Sequence, residues 1–246
     1  MTFYRTLFLS AVCAVTSFAP VAQAMTVSPM QVEMISVGSR SHAQVSVVNT
    51  SDRPLPVEAV IERLIVDEAG RPKSTKAGED FLIMPPQAMI PPGATQNFRV
   101  QWLGDPMMPQ SQSFLLYMNQ VPVKLPQGSN GVQVVMSMGV MINVAPATGS
   151  PAMKVVATGV TTDKAGKRFP TITVENTSNV HALLPNATIN LASGNWSNTL
   201  TPRSIGDRIG IGLVQPGRRR KFTLPVELPA GVSNIQASLE MAAARN

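Results

Sequence analysis

Few side chains in this sequence could do catalytic or metal-binding chemistry. The 246 residues include two histidines, His42 and His181, and a single cysteine, Cys13. The acidic residues are dispersed, and no HExxH, GxSxG or P-loop spacing joins polar residues into a catalytic or phosphate-binding motif. Both histidines lie in polar segments, which predicts ordinary surface side chains. The sequence therefore predicts no enzyme, no metal site and no cofactor.

The sequence offers apolar binding chemistry instead. Between Val132 and Val144 every second residue is apolar, and the residues between them are mixed or small. Alternation over this length predicts a strand about twice the usual length of roughly 5–6 residues, with one apolar face. A long apolar strand is an aggregation hazard unless it is buried or lent to a partner. The apolar face consists of Val132, Val134, Met136, Met138, Val140, Ile142 and Val144.

The first 24 residues have the pattern of a cleaved signal peptide. Arg5 precedes an apolar stretch from Leu7 to Val21, and Ala22–Ala24 has the small-residue form of a cleavage site. An uncleaved anchor is the alternative, although the stretch is short for a membrane span. The chain from Met25 has no cysteine, and a disulfide-free exported protein fits a bacterial periplasm. We therefore expect export to the periplasm and no transmembrane segment after cleavage.

The remaining sequence predicts an all-β protein. Its 21 prolines and 17 glycines leave few windows for a long helix, and short Val/Ile/Thr-rich runs between turn residues are typical of antiparallel sandwiches. Gly206–Gly212 lacks the strand–helix context of a nucleotide-binding loop, and we predict a turn and an irregular strand there. The predicted strands include Ala43–Val48, Val57–Leu64, Gln96–Trp102, Phe114–Gln120, Thr171–Glu175 and Lys221–Glu227.

A weak internal repeat predicts two domains built on one plan. The Asn-Thr-Ser sequence at Asn49 recurs at Asn176, and a Pro-Gly pair follows each at nearly the same interval, ending at Gly93 and Gly217. The turn-rich stretch Pro146–Pro151 is suited to a hinge between two such domains. The predicted boundaries are 1–24 for the signal peptide, 25–146 for the N-terminal domain and 147–246 for the C-terminal domain.

The net charge is mildly basic, with 20 Lys and Arg residues against 14 Asp and Glu. The densest basic cluster, Arg218–Lys221, is interpreted as a solvated turn and strand start, with contact to an acidic partner or to lipid headgroups as the alternative. No nucleic-acid-binding motif accompanies this cluster, and a signal peptide argues against a nucleic-acid partner.

Five stretches of the sequence form a recognisable set: Val45–Val57, Phe81–Pro86, Ile90–Val100, Tyr117–Pro122 and the alternating strand Val132–Val144. Together they resemble the periplasmic pilus-assembly chaperones of the chaperone–usher pathway, the PapD-like family. The resemblance is close from Met25 to Pro146 and architectural beyond it. It implies two immunoglobulin-like β-sandwich domains in an L-shaped arrangement, joined by a short hinge.

The resemblance also implies a mechanism. Such a chaperone donates a strand to a pilus or fimbrial subunit whose own sandwich lacks one, and delivers the subunit to an outer-membrane usher without ATP or a cofactor. The inserted residues of the family correspond best to Val132, Val134 and Met136, and Met138, Val140 and Ile142 continue the same face. From the residues alone, the alternative is that this face packs only on the protein's own core. Self-association of the free chain to cover the strand is left open.

The sequence departs from the family at its basic residues. The family holds the subunit's C-terminal carboxylate with two basic side chains in the cleft, but Glu33 and Met141 occupy those places here, which indicates a divergent branch. Gln112 and Ala145 stand where an interdomain salt bridge is usual. Arg99 matches another basic position of the family, and it is the candidate for a replacement anchor or a usher contact, beside the interpretation as an ordinary surface arginine.

Two other functions fit an exported all-β chain. One is an immunoglobulin-like periplasmic or surface binding protein without chaperone activity, and the other is a structural subunit of the appendage. A structural subunit is expected to have a free N-terminal donor extension and one incomplete domain, whereas this sequence predicts two domains with an internal donor strand. The sequence does not specify which subunit or appendage is served.

Overall fold

The computed structural model describes residues 25–122 and 135–242. It confirms the predicted fold class: an all-β protein of two immunoglobulin-like sandwich domains. The predicted signal peptide lies outside the described residues. The strands of the first domain are β1 (Met25–Ser28), β2 (Gln31–Ile35), β3 (His42–Asn49), β4 (Leu55–Val66), β5 (Pro72–Lys76), β6 (Phe81–Met84), β7 (Gln87–Ile90), β8 (Thr95–Trp102), β9 (Gln112–Gln120) and β10 (Ser137–Ala145).

Two sheets form the sandwich of the first domain. One has the strand order β1-β3-β8-β6, and the other has the order β2-β10-β9-β4-β5, with β7 also paired to β4. Alternate apolar residues of both sheets meet between them, because successive side chains of a strand point to opposite faces. The fully buried core includes Val45, Val47, Phe98, Phe114, Leu116, Met118, Val140 and Ile142.

The second domain is a smaller sandwich with shorter sheets. Its strands are β11 (Met153–Thr162), β12 (Arg168–Asn176), β13 (Ala182–Leu183), β14 (Ala187–Ser193), β15 (Trp196–Leu200), β16 (Leu213–Val214), β17 (Arg219–Thr223) and β18 (Gln236–Met241). Three strands form the sheet β11-β12-β17, three form β15-β14-β18, and β13 pairs with β16. Their inner faces enclose a second core that includes Ile172, Val174, Leu184 and Ile189.

Helical structure is limited in the described residues. Short 3-10 turns cover Gly38–Ser41 and Leu184–Asn186, and one α-helix, α1, covers Pro202–Ile209. The prediction of a turn and an irregular strand at Gly206–Gly212 was therefore wrong in its first half. The Thr201 hydroxyl accepts a hydrogen bond from the Ser204 amide, and proline suits the first turn of a helix.

The six predicted strands correspond to β3, β4, β8, β9, β12 and β17. The predicted strand Lys221–Glu227 extends too far toward the C-terminus, because β17 ends at Thr223. Pro225 lacks the amide hydrogen that a central strand position requires. The predicted long strand Val132–Val144 is described from residue 135 onward, and there β10 occupies Ser137–Ala145. Val132 and Val134 lie outside the described residues.

Candidate functional site

Strand β10 is paired on both sides only in its second half. It runs antiparallel to β9 along nearly its whole length, from Ser137 to Val144. Its other edge is joined by β2, in parallel, only over Met141–Ala145. Within residues 25–122 and 135–242, no strand occupies that edge along Ser137–Val140. The backbone donors and acceptors of this edge are therefore available to an added strand.

The apolar face of β10 passes gradually out of the protein's own core. Val140, Ile142 and Val144 are 0% exposed and pack between the two sheets. Met138 and Met136 are only partly buried against the edge of the same core. The structure thus assigns Val140 and Ile142 to the protein's own interior in this conformation. Of the described candidates, Met136 and Met138 are the residues that retain accessible apolar surface.

Met141 lies on the opposite face of β10 and packs between the domains. It is 4% exposed and belongs to an apolar cluster with Leu64 and Val66 of β4 and Leu213 of β16. This is the place at which the resemblance expects a basic residue. A buried methionine in an apolar contact contributes to domain association through the area it removes from water.

Glu33 lies on β2, and its carboxylate accepts hydrogen bonds from three side chains. The amides of Gln31 and Asn143 donate to Oε1 at 2.8 and 2.9 Å, and Nε2 of His181 lies 2.6 Å from Oε2. Burial raises the pKa of Glu33, but the hydrogen bonds and charge interaction with His181, together with the two amides, hold that pKa below its usual value. Glu33 is therefore an ionised group that other residues of the same chain already bind.

His181 is not the ordinary surface histidine that the sequence predicted. Its side chain is only 7% exposed, and both of its ring nitrogens contact residues of the first domain. Nδ1 lies 3.1 Å from the Ser111 hydroxyl, which also accepts the backbone N–H of His181 at 3.0 Å. No local pattern in the sequence indicates this contact, because Glu33 and His181 are 148 positions apart.

A second interdomain contact was also missed. The side-chain amide of Gln215 donates to the carbonyl of Leu64 at 2.8 Å and accepts the N–H of Val66 at 3.0 Å. Gln215 is 8% exposed, so it supplies two buried backbone groups of β4 with partners. Gln112 accepts a hydrogen bond from Arg63 within the first domain, so it makes a different contact from the interdomain salt bridge expected from the family.

The structure separates Arg99 from the cleft. It lies on β8, in the sheet that does not contain β10, and its side chain is exposed between the buried residues Phe98 and Val100. Its cross-strand neighbour on β6 is Met84, which is 47% exposed. Arg99 therefore does not lie beside Glu33 or Met141. Its exposed position is compatible with a contact at the protein surface.

The basic cluster Arg218–Lys221 is only partly solvated. Arg220 donates to the carbonyl of Leu213 at 2.6 Å and stacks over Phe222, and burial lowers its pKa despite the opposing effect of Asp67. The N–H of Lys221 donates to the carbonyl of Glu68 at 2.8 Å. Part of this cluster therefore joins the two domains and is not free for an acidic partner.

Neither a metal site nor a membrane helix emerges from the described part of the chain. Over residues 25–122 and 135–242, no group of three or more His, Cys, Asp or Glu side chains is placed to hold a metal ion. No helix in these same ranges has the length and apolar character needed to cross a bilayer.

The fold and the site define a two-domain immunoglobulin-like protein whose half-open strand leads into an interdomain cleft. The chain belongs to the pili and flagellar-assembly chaperones: the family model for the PapD N-terminal domain matches residues 26–149. Comparison of the sequence with curated proteins gave no match.

Solved structures with this fold include two chaperones and a chain of a chaperone–subunit complex. The class 5 fimbriae chaperone CfaA aligns with a TM-score of 0.55 and 11% identity over 90% of this chain and 100% of CfaA. The YadV chaperone aligns with a TM-score of 0.52 and 11% identity over 87% of this chain and 91% of YadV. A chain of the CsuC–CsuE chaperone–tip adhesion subunit complex of Acinetobacter baumannii aligns with a TM-score of 0.50 and 12% identity over 81% of this chain and 90% of that chain. At these identities the likeness shows the shared fold.

Proposed function

We propose that the protein is a periplasmic chaperone that binds pilus or fimbrial subunits by donating β10, and that it delivers them to an outer-membrane usher. The observation that carries this proposal is the free edge of β10 along Ser137–Val140. Family membership supports the class of activity. The predicted signal peptide supports the location.

The side chains of β10 suit strand donation as well as its backbone does. A subunit strand added to the free edge would find the half-buried Met136 and Met138 on one face, and in the sequence Val134 and Val132 continue that row. Each apolar side chain that becomes fully buried contributes roughly 1.5–3 kcal/mol, less the cost of ordering both segments. Because methionine is flexible, the same strand can fit grooves of different shape.

Val140 and Ile142 have a supporting part in this proposal. Their burial in the first domain anchors the second half of β10, so the first half, with its free edge, continues from a fixed base. Binding energy therefore comes mainly from residues 132–138, while Val140 and Ile142 hold the strand in register with β9. No ATP or cofactor is needed, because the subunit gains the strand that its own fold lacks.

Arg99 is our candidate for a contact with the usher. It lies on an exposed face with Leu82 and Met84, which are 39% and 47% exposed. A surface that combines apolar side chains with an arginine is typical of protein interfaces. The contact would leave β10 free for the subunit, since Arg99 lies in the other sheet.

Co-expression with candidate pilus subunits tests the proposal. We expect wild type to retain a subunit through purification from the periplasm, and Met136→Glu to lower the retained amount by about tenfold or more, because a charge buried without a partner costs several kcal/mol. Ser137→Glu is the matched control, since Ser137 is exposed on the opposite face. The proposal fails if wild type retains no subunit, or if Met136→Glu and Ser137→Glu behave alike.

A further inference from the structure

A continuous chain of hydrogen bonds crosses between the domains at the end of β10. It runs from Asn143 of β10 to Glu33 of β2, from Glu33 to His181 of the second domain, and from His181 back to Ser111 of the first. The Ser111 amide then donates to the carbonyl of Asn179 at 2.9 Å. Three segments of the first domain are thus tied to one short segment of the second.

Glu33 determines which groups donate and which accept in this series of hydrogen bonds. An ionised carboxylate only accepts hydrogen bonds, so Nε2 of His181 must carry the hydrogen that lies between them. Nδ1 can then accept the Ser111 hydroxyl, while that hydroxyl accepts the His181 backbone N–H. Each of these groups has a partner across the domain boundary, so a rotation that misaligns the domains would break all of these hydrogen bonds at once.

We propose that Glu33 and His181 are positioning residues: together they form a latch that fixes the second domain against β2 and β10. This role rests on the proposed function, because its purpose is to hold the base of the donated strand. Asn143 makes the coupling direct, since it is 0% exposed, lies on β10 and donates to the same carboxylate that His181 binds. The carboxylate of Glu33 therefore serves the protein's own architecture.

The surroundings of His181 favour a fixed geometry. Glu33 and Arg40 are the charged residues that line the adjacent cleft of about 320 Å³, beside Ala145, His181 and Asn186. On the other side of the boundary, Met141 packs with Leu213, and Gln215 binds the backbone of β4. The latch and the Gln215 contact are different sets of hydrogen bonds between the domains, and together they restrict rotation of one domain on the other.

Glu33 also disfavours a second negative charge at its own place in the cleft. A free carboxylate placed between Glu33 and Met141 would meet one negative charge and one apolar side chain, and like charges at close range repel. We therefore expect a bound subunit to be held without a terminal carboxylate at this place. A structure of the complex with the subunit terminus between these two residues would contradict this expectation.

Spin-label distance measurements on the full chain test the latch without any partner. The chain from Met25 has no cysteine, so Thr95→Cys and Lys164→Cys place one label on an exposed residue of each domain. We expect one narrow distance in this parent protein, and loss of that narrow distance when His181→Ala or Glu33→Gln is added. Thermal unfolding of each variant checks that both domains remain folded.

Two matched controls isolate the latch. His42→Ala removes a histidine whose Nδ1 also lies beside a serine hydroxyl, that of Ser41, but within the first domain. Glu227→Gln neutralises a glutamate that pairs with Lys167 at 2.7 Å within the second domain. Both controls should keep the narrow distance. If His181→Ala and Glu33→Gln keep it too, the latch is refuted whether or not the protein binds subunits.

Subunit retention separates the latch from the proposed function. If the distance broadens in both latch variants and they retain less subunit than wild type, the positioning role stands. If the distance broadens but retention is unchanged, Glu33 and His181 join the domains without positioning β10, and the proposal is overturned. If wild type retains no subunit while the distance still broadens, the proposed function fails and the latch between domains remains.

Discussion

Each domain contains the same buried hydrogen-bonded turn, here called the corner, which is centred on Asn49 in the first domain and on Asn176 in the second. Asn49 and Asn176 are both 0% exposed. Asn49 donates to the carbonyls of Arg53 and Ile90, and Asn176 donates to those of Val180 and Val214. In each domain, a serine two residues later donates to the asparagine oxygen through its amide and its hydroxyl. The repeat in the sequence is therefore a structural device that both sandwiches need.

The glycines of the repeat complete this corner. The N–H of Gly93 donates to the backbone carbonyl of Asn49, and that of Gly217 to the carbonyl of Asn176, both at 3.0 Å. Both glycines have positive φ, of 69° and 67°, a conformation that residues with a Cβ rarely adopt. The interval from asparagine to glycine is therefore similar in the two domains because, in each, a segment of similar length leaves the corner and returns to it.

The domains differ at their edges, and the proposed strand donation depends on that difference. The first domain has β10, which is fully paired only from Met141 onward and exposes a free edge before it. The second domain supplies His181, Leu213 and Gln215, which brace the paired half of that strand and the neighbouring β4. We infer that the shared corner maintains the fold, while the unshared edge and its brace carry the binding role.

The largest expected effect comes from breaking the shared corner. Asn49→Ala and Asn176→Ala each remove the asparagine donor of a buried backbone carbonyl, that of Ile90 or of Val214. Each also removes the oxygen that accepts the amide and hydroxyl of the serine two residues later, and a buried polar group left unpaired costs about 1–3 kcal/mol. We expect each to lower the free energy of unfolding by about 3–5 kcal/mol, with the two domains affected alike. Urea unfolding of both variants measures this.

Asn97→Ala serves as the control for the corner, since Asn97 is exposed and its side chain only accepts from Ser46 on the surface. It should change the free energy of unfolding by less than about 0.5 kcal/mol. If Asn176→Ala changes the free energy of unfolding only slightly while Asn49→Ala lowers it strongly, the corner stabilises one domain only. That result would contradict the inference that both sandwiches need it.

Much of the fold could be predicted because strands leave a local signal. Alternation and turn residues predicted six strands, and the Asn-Thr-Ser repeat predicted the two-domain plan. Helix α1 was missed because its signal is short: Thr201 and Pro202 cap only eight residues. Proline and glycine counts describe the whole chain and do not locate a single short helix.

The site was harder to predict than the fold. Alternation shows that Val140 and Met136 share a face, but it cannot show where the protein's own core ends along that face. The contacts of His181 and Gln215 join residues far apart in sequence, and each is one polar residue in an unremarkable turn. Such pairs depend on how two domains meet, for which a single sequence has no periodic signal.

An intermediate effect is expected from the contact that joins the domains at β4. Gln215→Leu removes the partners of the Leu64 carbonyl and the Val66 N–H, two buried backbone groups. We expect a loss of about 2 kcal/mol in the free energy of unfolding, seen in calorimetry as two separate transitions where wild type shows one. Gln236→Leu, at an exposed position of β18, should preserve the wild-type transition. A single transition in Gln215→Leu would show that this contact does not couple the domains.

The smallest expected effect is a pH dependence of stability, which the interdomain latch should show and the uncharged asparagine corners should not. The pKa of Glu33 is lowered from its ordinary value of 4.5 by His181 and its amide donors, against the effect of burial. A carboxyl group whose pKa is lower in the folded state stabilises the protein above its unfolded pKa, and that contribution is lost as the pH falls through the folded pKa. The asparagine corners do not titrate, so their contribution should be constant over this range.

Wild type should therefore lose stability relative to Glu33→Gln as the pH falls from neutral to about 3, below the ordinary carboxyl pKa. The change should stay below about 1 kcal/mol, since the Glu33 side chain is 44% exposed and solvent screens its charge. Urea unfolding of both proteins across this pH range measures the difference. A wild-type advantage that is independent of pH would mean that Glu33 acts through hydrogen bonding alone and that its charge does not strengthen the latch.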